Sequence, residues 1–167
     1  MRVMKQAKEP FRILGIDPGS RNTGYGIIEK NGHELHFVAC GVVSSSPKQP
    51  FPERLKEIYD GVCEVIDKHN PIAAAVENIF TAVNPQSALK LGHARGVILL
   101  AILQHGLSPY EYTPREVKQA VAGYGQADKP QVQHMVRILL KLPSTPSHDA
   151  ADALAVALCY ANHSNMV

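Results

Sequence analysis

The chain has 167 residues, 45% hydrophobic and 19% charged, which is enough for one domain with a sizeable core and excludes a disordered chain. Its three cysteines are far apart and in no C-x-x-C spacing, which argues against a disulfide framework or zinc site and for a reduced, cytoplasmic setting. Net charge is only +2, yet residues 90–141 hold seven Lys/Arg against three Asp/Glu, a basic middle that suits a polyanionic partner.

The first ten residues, "MRVMKQAKEP", carry charge but no apolar core, so they read as a flexible leader and not as a signal peptide. Arg12 to Ile16 forms an apolar strand and Tyr25 to Lys30 a second, joined to the next run by an Asn31-Gly32 hairpin turn. Glu34 to Val43 alternates, with Leu35, Phe37 and Ala39 on one side. "SSSPKQPFP", residues 44–52, is a loop by composition. Apolar residues at 55, 58, 59, 62, 65 and 66 predict a helix over Glu53 to His69. "PIAAAVENIF" supplies a buried strand that ends on Glu77.

Pro85 to Gln104 is helical, with Ala88, Leu89, Leu91, Gly92, Val97, Leu99 and Leu100 as its apolar positions. Val97 to Leu103 is the longest apolar run and is far too short to span a bilayer. "SPYEYTP" is a short strand, and Thr113 caps a helix that runs from Pro114 to Ala122. "GYGQADKP" is a glycine-rich loop that carries Lys129; Gln131 to Leu142 is a helix broken by "PSTPS". Ser147 caps a last helix through "HDAADALAVALCYA". The order βββαβαβααα predicts one α/β domain over residues 11–167, a mixed five-stranded sheet flanked by helices, because an antiparallel meander leads and crossover helices follow.

Four acids stand out against this background. Asp17 interrupts the hydrophobic hairpin "ILGIDPGSRNTGYGII", where a buried carboxylate is costly unless something positive pairs with it. Glu77 ends the fourth strand, and Asp149 and Asp152 share one face of the last helix's first turn. Each also has an ordinary role open to it, as turn former, strand end or helix-dipole partner. Together, a sheet edge with a helix N-terminus against it can gather all four, and such a cluster repels itself unless cations sit within it. Ligands that are all oxygen indicate a hard ion, Mg2+ with Mn2+ able to substitute. Two such ions activate water and stabilise a leaving oxygen in phosphodiester cleavage.

"LGIDPGSRNTGYG", "VENIF", "NPQSALKLGHARGV", "VKQAVAG", "KPQVQHMVRILLKLP" and "HDAADALAVAL" together resemble the RuvC family of Holliday junction resolvases, over about Ile13 to His163. The resemblance implies a ribonuclease-H-like fold. It implies a homodimeric endonuclease that nicks two opposing strands of a four-way DNA junction in recombination and repair, beside RuvA and RuvB. The family's metal-binding and catalytic acids fall on Asp17, Glu77, Asp149 and Asp152. Phe80 is expected to stack on a base, Asn84, Lys118 and Lys129 to contact DNA, and the helix from about Asn84 to Gln104 to supply dimer contacts. An actin-like ATPase shares the acidic hairpin but needs a second lobe, and a ribonuclease acting on RNA–DNA hybrids shares the four-acid logic.

Overall fold

The computed structural model describes residues 9–78 and 83–164. Their elements follow the expected order: β1 (Phe11–Asp17), β2 (Asn22–Asn31), β3 (Glu34–Ser44), α1 (Phe51–His69), β4 (Ala73–Glu77), α2 (Pro85–Gln104), β5 (Pro109–Tyr112), α3 (Pro114–Ala122), α4 (Lys129–Leu139) and α5 (His148–His163). The five strands of these residues form one mixed sheet in the order β3-β2-β1-β4-β5. The β1–β2 and β2–β3 pairs are antiparallel, and β1–β4 and β4–β5 are parallel.

Central strands with both faces covered read as continuous apolar runs. Ile13 to Ile16 in β1 and Ala73 to Val76 in β4 meet that description, and Ile13, Leu14, Ala74 and Val76 have no exposed surface. One face of the sheet packs against α1 and α2 through Ile58, Val62, Ile98 and Ile102. The other packs against α3, α4 and α5 through Val117, Val136, Leu154 and Leu158. The alanine-rich α5 lies almost on the strand backbones. A Cβ on Gly15 would stand 2.1 Å from the Ala153 carbonyl oxygen, and one on Gly24 would stand 2.0 Å from the carbonyl oxygen of Asp149. Only glycine leaves room for a helix that close.

Several local expectations need correction. The β2–β3 turn is centred on Gly32 and His33, not on Asn31-Gly32: Asn31 still pairs with Glu34, and Gly32 alone takes φ +62°. Glycine at the first central position suits a type II′ hairpin. The alternation of Leu35, Phe37 and Ala39 fails because Ile27 pairs with Ala39 and Ile28 with Phe37, leaving Val38 as a bulge. The extra residue shifts the side-chain phase, so Leu35 packs on the α5 side and Ala39 on the α1–α2 side, while Phe37 is exposed. Lys129 is no loop residue; it is the first residue of α4, behind an Asp128 cap that pairs reciprocally with Gln131. That helix stops at Leu139, short of Leu142, and Lys141 turns the chain with φ +52°. Ser147 holds the cap position of α5 but makes no side-chain cap bond. The buried face of α2 is Ala94, Ile98, Ala101 and Ile102, whereas Leu89 and Leu100 from the predicted stripe are exposed.

Candidate active site

Parallel pairing places the C-terminal ends of β1 and β4 side by side. Ile16 is in register with Val76, so Asp17 and Glu77 are neighbours at the same end of the sheet. In the antiparallel direction Asp17 stands opposite Gly24. Because Gly24 has no side chain, the backbone of Asp149 settles directly over it. One turn on, Asp152 faces the same way. The four acids thereby line one cleft of about 490 Å3, together with Asn22, Lys118 and Lys129.

The electrostatics follow from that crowding. Burial above all, then the charge and hydrogen-bonding of Glu77, and then Asp152 and Asp149, push the Asp17 carboxyl far above the ordinary carboxylate range. Burial raises Glu77 as well, and the hydrogen bond with Asp17 works in the opposite direction. Two buried carboxyl groups this close resist ionising together. Burial also raises Asp152, opposed by the nearby ammonium of Lys129, whose Nζ lies 3.4 Å from Asp152 Oδ2. Both Lys118 and Lys129 lower Glu77 through their charge. Asp17 and Glu77 therefore stand paired with each other, and Asp152 with an ammonium. Among the described residues, no three His, Cys, Asp or Glu side chains are set to grip one ion as they lie.

The donor set fits hard divalent cations. It is four carboxylates with no thiol or imidazole in the cleft wall, and its self-repulsion is what cations relieve. The cleft is also too exposed on its lysine side to be a structural ion-pair network: the Lys129 side chain is 68% exposed against 21% for Asp152.

The pattern of the sequence brought together Asp17, Glu77, Asp149 and Asp152, and the family resemblance added Lys118 and Lys129; all six line the cleft. Asn84 is not among the lining residues. It is the exposed N-cap of α2, where its Oδ1 accepts from the Ser87 amide at 2.8 Å. Phe80 lies outside the described residues. Asn22 was missed, although the polar "SRN" ahead of an apolar strand was the available signal; its Oδ1 accepts from the Ser44 hydroxyl at 2.9 Å. The three cysteines are free, and no described helix is long and apolar enough to cross a membrane.

Comparison with known proteins bears on this site. A profile of the family described as "Crossover junction endodeoxyribonuclease RuvC" matches residues 13–160. A protein of that name from Syntrophotalea carbinolica is 58% identical over 152 residues, covering 91% of this chain and 94% of its own length. Another from Cupriavidus necator is 53% identical over 155 residues, covering 93% of this chain and 86% of its own length. The structure of Thermus thermophilus RuvC in complex with a Holliday junction substrate superposes with a TM-score of 0.88 at 39% identity, covering 93% of this chain and 96% of that one.

Proposed function

The chain belongs to the RuvC family of crossover junction endodeoxyribonucleases, and we infer from that membership that it is an endonuclease which resolves four-way (Holliday) DNA junctions in recombination and repair. Its fold is the ribonuclease-H-like fold of that family. The observation that carries the finer reading is the meeting of Asp17, Glu77, Asp149 and Asp152 in one cleft beside two lysines.

In this reading the four acids are the catalytic and metal-binding residues. Mg2+, with Mn2+ able to substitute and two ions once DNA is bound, would supply a water acidic enough to attack phosphorus and positive charge for the scissile phosphate. The chain's own part is to make the acids available. Asp17 must give up its proton, and the Lys129 ammonium must leave Asp152. The second event costs less when a phosphate enters, because Lys129 then exchanges one anion for another; the first would be favoured by the positive charge of the metal, since a cation beside a carboxyl stabilises its ionised form. Its position at the start of α4, a short and well-capped helix, keeps that exchange within a side chain's reach. Lys118, on α3, approaches the same cleft from a second helix and would hold the DNA backbone on the other side. Neither lysine reads a base, so binding should be strongly salt-dependent. Phe80 is assigned to stacking on an unpaired base, for which aromatic rings are sequence-tolerant platforms, and Asn84 to a DNA contact beside it.

A homodimer matches a substrate whose two cut sites are related by a two-fold axis. Support for it comes from α2, where Leu89 (65% exposed), Leu100 and Leu103 are left on the surface beside a groove floored by Leu55 and Val97. Residues 11–167 would form a single domain that acts in the cytoplasm with RuvA and RuvB. The test is incubation of a synthetic four-way junction with the protein, first with magnesium and then with a chelator, mapping nicks on every arm. Symmetric nicks on two opposing strands that disappear with the chelator are expected; nicking that survives the chelator would refute the metal assignment.

A further inference from the structure

We propose that Arg54 is a positioning residue for the metal-binding acid Asp17, acting through the turn that follows it; this rests on the reading of Asp17 as a metal ligand. Asp17 is the last residue of β1, and the chain then folds back through Pro18 to Arg21 before β2 begins. Pro18, Gly19 and Asn22 form part of the cleft wall, so the shape of this turn sets where the Asp17 carboxyl points. The turn is held on its inner side by Thr23, fully buried, whose Oγ1 donates to the Gly19 carbonyl at 2.9 Å and accepts from the Gly19 amide at 3.3 Å. It is tight: a Cβ on Gly19 would stand 2.1 Å from the Asn22 carbonyl oxygen.

Its outer side is held from a distant part of the chain. Arg54, in the first turn of α1, donates through Nη2 to the Ser20 carbonyl at 2.8 Å and through Nε to the Ser45 hydroxyl at 3.2 Å. The buried Ser45 passes that second bond on, its Oγ donating to the same Ser20 carbonyl at 3.0 Å while its amide donates to Arg21 O at 2.9 Å. Both lone pairs of one carbonyl are therefore taken, one of them by a charge-assisted bond. The guanidinium itself is steadied by the Phe51 ring, 5.7 Å from its carbon, and Phe51 packs edge-on against His93 of α2. A planar fork with fixed donor directions can hold this turn; an ammonium on a flexible stem supplies the charge without the second direction. None of these groups lies in the cleft, so Arg54 acts on the acid and not on substrate.

Manganese affinity without DNA, measured by calorimetry, and junction nicking are compared across Arg54→Ala, Arg54→Lys, Val65→Ala and Asp17→Asn. Small displacements of a reacting group commonly cost about tenfold to a hundredfold. Arg54→Ala should weaken manganese binding and slow nicking by about that factor, with junction affinity in chelator within about twofold of the parent. Arg54→Lys should fall between the two, and its amides at residues 19–22 and 45 should exchange faster than in the parent. Val65→Ala loosens the buried face of the same helix away from the turn and should keep parental manganese affinity. Parental manganese affinity in folded Arg54→Ala and Arg54→Lys would overturn the proposal, as would an equal loss in Val65→Ala. Loss of both readouts in Asp17→Asn alone would sink only the role of Arg54, whereas parental behaviour of Asp17→Asn would sink the metal reading beneath it.

Discussion

Lys129 Nζ lies 3.4 Å from Asp152 Oδ2, so before any substrate arrives the cleft already holds a cation against one of its acids. The ammonium competes with metal for Asp152 and serves as a phosphate contact once DNA is present. Lys129→Met should therefore bind manganese no more weakly than the parent in the absence of DNA. Its nicking should fall on the order of tenfold to a hundredfold, through loss of charge stabilisation at the cut. Junction affinity measured against salt should show a slope shallower by about one. Weaker manganese binding would contradict the competition.

Asp17 carries the cost of crowding the acids together. Its carboxyl is raised, to about 9 against an ordinary 3.8, chiefly by burial. The sign is that of an acid held neutral in the folded state. The stabilising contribution is complete below the ordinary carboxylate range and is lost as pH climbs toward about 9. In chelator, melting should thus fall as pH rises over that window. Asp17→Asn, which has no proton to lose, should flatten the fall and be more stable at neutral pH by about 1–2 kcal/mol, and so melt higher. With magnesium the order should reverse, since ligand binding stabilises only the chain that holds the ion. Differential scanning calorimetry at several pH values, with and without magnesium, checks both halves.

Gly24 seats the helix that brings Asp149 and Asp152 to the sheet. A methyl there meets the backbone of Asp149 and not a movable side-chain end. Gly24→Ala should destabilise by about 1–3 kcal/mol, the usual cost of overpacking, and lower the melting midpoint by about 3–10 °C. Metal affinity should drop as well, because the helix that shifts carries two of the four acids. Gly106→Ala is a poor mimic of this effect: nothing lies within 4 Å of that position, and its cost is conformational, at φ +73°.

The exposed leucines of α2 permit a test of assembly that leaves the fold alone. Leu100→Glu changes a surface residue, whereas Ile98 beside it is fully buried. Sedimentation should find the Leu100→Glu chain at half the parental mass with an unchanged melting profile. A dimer that survives both this change and Leu89→Glu would locate the interface elsewhere.

The acids were legible as a set: Asp149, in the first turn of a helix, obeys a local rule taken alone, and only its spacing from Asp152 marks it. A carboxylate at the end of a fully apolar strand, and two more on an alanine face, have no part in packing, so their positions advertise chemistry. Less legible was anything set by a partner far along the chain. Arg54 reads as one more helix charge, since its acceptors are a backbone carbonyl 34 residues away and a serine hydroxyl. The glycines ahead of Lys129 read as loop, and the Asp128 and Gln131 cap that starts α4 is written in "DKPQ" as a shorter signal beside them. On α2 both faces are apolar, so periodicity gave a helix without saying which face the core would take. The bulge at Val38 has no sequence signature at all, and it alone inverted the expected phase of β3.

Manganese soaked into crystals of the protein, located by its anomalous scattering, addresses the central point most directly. The account predicts peaks inside the cleft, contacted by Asp17 and Glu77 and by at least one of Asp149 and Asp152, with the Lys129 ammonium withdrawn from Asp152. Manganese found only at surface carboxylates, with Asp17 still bonded to Glu77, would contradict it.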